Sequence, residues 1–167
     1  MRSKTALVFL ALTLFLAQTG LAPQLATFKP LEGNLPPVEV QFNPKELSVE
    51  KNVPWTKDKK SDDDSPAVEY TSGEPKTLEV ELMFDTFESK EDVGKKYGDR
   101  LIQLATADKD LRRPPRVVFI YGPLEFQGVI ESVGMKYTMF LENGTPVRAT
   151  CNVKLKEASR ASFKKGE

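Results

Sequence analysis

Apolar and polar positions alternate along most of the chain from about Phe28 onward. Val38, Val40 and Phe42 fall on one side with Glu39 and Gln41 between them, a period of two that predicts a half-buried strand ended by the turn at Asn43-Pro44. Leu47 and Val49 predict a short second strand. The clearest alternation runs from Thr77 to Phe84, with Leu78, Val80, Leu82 and Phe84 on a core face and Glu79 and Glu81 on a wet one. Arg116 to Tyr121 is apolar enough to be covered on both faces, and Gly122-Pro123 turns it into Leu124 to Glu131 as a first hairpin. A second hairpin sets Lys136 to Leu141 against Pro146 to Lys156 through Glu142-Asn143-Gly144-Thr145, where Asn-Gly admits positive φ at both central residues. On its last strand Ala149, Cys151, Val153 and Leu155 take the core side.

One segment changes period. Val93, Tyr97, Leu101 and Leu104 recur at helical spacing within Lys90 to Ala107, so an amphipathic helix is expected there. Gly94 and Gly98 interrupt it at about 1 kcal/mol each. Ser89, Glu91 and Asp92 suit its start and Arg112-Arg113-Pro114-Pro115 ends any helix. Lys57 to Ser65, containing Asp62-Asp63-Asp64, lacks apolar periodicity and reads as a solvated loop. The fold class is therefore mainly β with one helix (α+β): an antiparallel barrel or sandwich of about seven strands, the helix covering an open end.

The first 22 residues differ from the rest. Arg2 and Lys4 precede the apolar run Ala6 to Ala17, and Gly20-Leu21-Ala22 follows, which reads either as a secretory leader or as a mis-assigned start. The run is shorter than the roughly 18 to 20 residues of a spanning helix. Residues 23–160 form the body and residues 161–167 a polar tail.

Composition narrows the chemistry. Among 167 residues there is no histidine and one cysteine, which removes Ser-His-Asp and Cys-His nucleophile pairs, histidine bases, most zinc and haem sites, and any internal disulfide. Lys and Arg together number 24, as do Asp and Glu, so no basic excess points to nucleic acid. Without Met1 to Ala22 the remainder holds 22 bases and 24 acids. Glu79 and Glu81 stand side by side on a wet strand face, where nothing would poise them as acid and base. The acidic triplet lacks the spacing, glycine and closing glutamate of a calcium loop, and Gly94 to Gly98 lacks the spacing of a phosphate-binding loop. Arg112-Arg113 fits either a grip on a phosphate or carboxylate or a helix-end charge pair. Trp55, in a polar stretch, fits either a satellite core plug or an interface anchor. Cys151 reads as a small core residue, and no catalytic residue, metal or cofactor is implied.

Several stretches taken in order resemble one family. Val40-Gln41-Phe42-Asn43-Pro44-Lys45-Glu46, Gly73-Glu74-Pro75-Lys76-Thr77-Leu78 and Leu82-Met83-Phe84-Asp85-Thr86-Phe87 are similar to the tube proteins of contractile injection systems. So are Arg113-Pro114-Pro115, Phe119-Ile120-Tyr121-Gly122, Phe126 to Ser132, Tyr137 to Leu141 and Gly144 to Ala149. The likeness runs from about Ala26 to Glu157.

The resemblance implies a non-enzymatic building block of a phage-tail-like particle: a ring, expected to be a homo-hexamer, between the inner tube and the baseplate or spike. Its partners would be copies of itself and the tube, baseplate and spike proteins, with no nucleic acid. The expected fold is a β-barrel with one helix whose sheets join across subunits around a lumen, so exposed edges become assembly surfaces. On this reading the loop from Asn52 to Glu69, with Trp55, Asp62, Asp63 and Asp64, and the hairpin tip at Asn143 and Gly144 are the candidate contacts between stacked rings. Relatives often add a LysM module; none follows the last strand here, so peptidoglycan binding is not expected. Such particles assemble in the cytoplasm, whereas a functional leader would mean export. The alternative is a secreted or periplasmic β-barrel that binds a small ligand at its mouth.

Overall fold

The computed structural model describes residues 24–57, 68–70 and 72–162. Its frame is one seven-stranded sheet, antiparallel throughout, in the spatial order β2-β1-β7-β8-β9-β6-β3. The strands are β1 (Thr27–Pro30), β2 (Val38–Glu39), β3 (Leu47–Glu50), β6 (Thr77–Asp85), β7 (Val117–Tyr121), β8 (Leu124–Phe140) and β9 (Pro146–Glu157). A separate ribbon pairs β4 (Trp55–Lys57) with β5 (Val68–Tyr70). The sheet curls into a half-barrel, and this mainly β architecture with a single short helix is the one expected from the alternation.

The curl exists because one face of each long strand is apolar. Leu78, Val80, Leu82 and Phe84 of β6 are buried. The register sets them beside Leu155, Val153, Cys151 and Ala149 of β9, which are buried too. Phe28 of β1 and Phe119 of β7 pair directly, their rings 4.9 Å apart. Burying an aliphatic or aromatic side chain of this size contributes about 1.5–3 kcal/mol, so this shared face supplies the main drive to fold.

The helical segment lies against the same face. A π-turn, Gly94–Gly98, leads into α1 (Asp99–Leu104), and Val93, Leu101 and Leu104 are buried. Tyr97 stacks on Phe84 at 4.7 Å and 13°. The two glycines now have a purpose: a Cβ on Gly94 would sit 2.6 Å from the Tyr137 hydroxyl, and one on Gly98 3.2 Å from the Met135 methyl. Their weak helix propensity is offset by close approach to β8. The segment is shorter than Lys90 to Ala107, and the free amides of its first turn are met by Asp92, whose carboxylate accepts from Gly94 N at 2.9 Å and Lys95 N at 3.2 Å.

Four further differences separate the structure from the expected elements. The stretches 124–131 and 136–141 are one strand, β8, which serves both hairpins by bending at bulges near Glu131 and Thr138. At Gly128 it passes so near β9 that a Cβ would lie 2.2 Å from the Lys156 carbonyl oxygen. In the β8–β9 turn only Gly144 has positive φ, 83°. Gly144 N donates to Leu141 O and Leu141 N to Thr145 O, both at 2.9 Å, so the tip is a three-residue loop with a left-handed glycine rather than a two-residue turn. In and just past the stretch Asn52 to Glu69, residues 55–57 pair with residues 68–70, while residues 58–65 of the expected solvated loop lie outside the described residues. Finally, Phe42 is exposed rather than in the core, because β2 ends at Glu39.

Candidate assembly surfaces

The segment after β2 fastens the half-barrel by side chains instead of a strand ladder. Gln41 donates from Nε2 to the Asp85 carbonyl at 2.7 Å and accepts the Asp85 N–H at 2.8 Å. Asn43 does the same for the chain entering β1, accepting from Ala26 N at 2.8 Å and donating to Gln24 O at 3.1 Å. The carboxylate of Asp85 turns to Arg148, which donates from Nε at 2.9 Å, and to the Phe87 amide at 2.8 Å. Those contacts hold its pKa below the usual carboxylate range, the Phe87 hydrogen bond foremost.

At the other end, Glu32 bridges β1 and β7. It receives Arg113 Nη1 at 2.8 Å and Arg116 Nε at 3.0 Å, and these hydrogen bonds, Arg113's first, lower its pKa to about 2. Arg113 thus grips a carboxylate of its own chain. The Cys151 thiol is pushed up to about 12 by burial, so it behaves as core filling and not as a nucleophile. Glu79 and Glu81 remain exposed on the outer face of β6. Among the described residues no group of acids and cysteine is gathered as a metal site would need.

Of the candidate contact residues, Trp55 lies on the ribbon, 59% exposed, its ring 5.7 Å from Tyr70 across the strand pair. It plugs no core. Asn143 and Gly144 form the tip of the β8–β9 hairpin, where Asn143 Oδ1 accepts from Thr145 N at 3.0 Å. Asp62, Asp63 and Asp64 lie outside the described residues. Trp55 and the Asn143-Gly144 tip therefore sit on different projections of the fold.

Surfaces that alternation alone did not single out are the sheet edges and a set of exposed apolar side chains. Among the described residues no strand pairs with the outer sides of β2 and β3, which leaves two templates for strand addition. Val53, Val68 and Tyr70 accompany Trp55 in exposure, and Phe42, Met83, Phe87 and Phe140 are exposed elsewhere. Phe42 and Met83 line a cavity of about 310 Å³ between the 42–46 segment and β6. The clue in the sequence was Met83 on the wet side of an otherwise acidic strand face.

No curated protein matches the chain. A family model described as contractile injection system tube protein matches residues 24–165, the span that contains every strand described above.

Proposed function

Because the chain belongs to the contractile injection system tube protein family, and is thus a structural component of such a system, we propose that it forms the ring linking the inner tube to the baseplate or spike. The observation that carries this reading is the open, curled sheet, whose outermost strands β2 and β3 each have an unpaired outer side among the described residues. A head-to-tail contact between unlike edges makes a closed ring when the rotation between subunits closes, and a homo-hexamer is the ring proposed. The ribbon with Trp55 and the tip at Asn143 and Gly144 would reach the rings above and below. The body of the subunit is taken as residues 23–160, with assembly in the cytoplasm.

The interior side of the curl is filled by Phe28, Phe84, Phe119 and Leu82, so a small ligand would have no room among them, which supports the structural reading over the ligand-binding one. The test is co-sedimentation with polymers of the system's own tube protein. The subunit should pellet with them, and Trp55→Ala or Asn143→Ala should reduce pelleting while leaving the melting temperature unchanged. A subunit that stays in the supernatant at every ratio would contradict the reading.

A further inference from the structure

The tip of the β8–β9 hairpin sets two groups that can react with each other side by side. Of the chain's five asparagines, only Asn143 precedes a glycine. Gly144 therefore puts no side chain against its own amide nitrogen, and a Cβ added there would meet nothing within 4 Å. Residues 142–144 are exposed, so water reaches both groups.

The Asn143 carboxamide is arranged to lose its amine. Its Oδ1 accepts from Thr145 N at 3.0 Å, a donor that draws electrons from Cγ and steadies negative charge arising on that oxygen. Its Nδ2 makes no hydrogen bond among the described residues, so nothing retains it as a leaving group. The restraint lies on the nucleophile. Gly144 N donates to Leu141 O at 2.9 Å, and Leu141 N, donating to Thr145 O at 2.9 Å, clasps the turn beneath it. An amide nitrogen attacks only after giving up its proton, and in the closed tip that proton is held by the Leu141 carbonyl.

We propose that Asn143 is a site of self-deamidation, latched by the hydrogen bond from Gly144 to Leu141. When the tip opens, Gly144 N loses its proton to hydroxide and bonds to Asn143 Cγ. The Cγ–Nδ2 bond breaks, and ammonia leaves with a proton taken from water, which returns the hydroxide. Water then opens the five-membered imide at either carbonyl, giving an aspartyl or an isoaspartyl linkage. The aspartyl form keeps an acceptor for Thr145 N. The isoaspartyl form adds a main-chain carbon, which a three-residue loop with a left-handed glycine cannot absorb. Both add a negative charge beside Glu142. Any effect on contacts between rings rests on the reading of this tip as an assembly surface, whereas the chemistry proceeds in the isolated subunit.

The test follows intact mass, peptide maps and enzymatic isoaspartyl methylation of the full chain in mildly alkaline buffer, folded and in urea. The unfolded chain should deamidate first at Asn143, and the folded chain about five-fold more slowly, the protection that one exposed hydrogen bond gives. Leu141→Pro, which removes the clasping N–H, should close most of that gap, and Asn143→Gln should abolish the early product. Should the proline variant not fold, urea held below the unfolding transition serves instead, and the rate at Asn143 should rise there before the core opens. Equal rates in the folded and unfolded chains would overturn the proposal. So would a first deamidation at any other asparagine, or a rate at Asn143 that rises only with global unfolding.

Discussion

The side-chain amide of Gln41 takes both backbone hydrogen bonds of Asp85, at 2.7 and 2.8 Å, and so does the work of a strand where the sheet has none. Replacing Gln41 with Ala removes one donor and one acceptor and leaves the Asp85 backbone half-buried without them. We expect a loss of about 1–2 kcal/mol in urea unfolding. An unchanged midpoint would show that water replaces the amide there.

The approach of the helix to β8 is testable as a pair. Gly94→Ala puts a methyl 2.6 Å from the Tyr137 hydroxyl, so about 1–3 kcal/mol should be lost. Removing that hydroxyl with Tyr137→Phe should restore part of the loss. A double-mutant cycle with no coupling would contradict the contact.

Much of this packing was legible in the sequence, and the part that was not has a common cause. Strict alternation gave the buried faces of β6 and β9, since period two fixes side-chain direction wherever a strand has one wet face. It misplaced Phe42, because the pattern Val38, Val40, Phe42 continues past the point where the ladder stops and Gln41 is drawn to Asp85. It divided β8 in two, because bulges near Glu131 and Thr138 shift the phase of alternation. The glycines of the helix looked like defects until Tyr137 and Met135, some 40 residues away, were placed beside them. The Glu32 contact with Arg113 is invisible locally for the same reason, spanning 81 residues.

That ion cluster predicts an acid limb. The Glu32 pKa falls from 4.5 to about 2 on folding, so the unfolded chain binds the proton more readily. The stabilisation is present above about pH 4.5 and is lost as the pH falls through about 2, with a size on the order of 2 kcal/mol. Glu32→Gln should be less stable at pH 7 and should flatten the stability profile between those limits. A profile of the same slope would assign the acid limb to other carboxylates.

Cys151 reports on the core. With its thiol buried and its pKa raised to about 12, labelling by a thiol reagent at pH 8 should proceed no faster than unfolding, and urea should accelerate it in step with loss of structure. Rapid labelling of the native protein would mean that the β6–β9 face opens locally.

The central claim, that this subunit builds a ring on the inner tube, is met most directly by its mass in solution. Light scattering on Pro23 to Glu167, alone and with the tube protein of the same system, should find a closed assembly of about six subunits or a stable co-complex. A strict monomer that ignores the tube protein at all concentrations would contradict it.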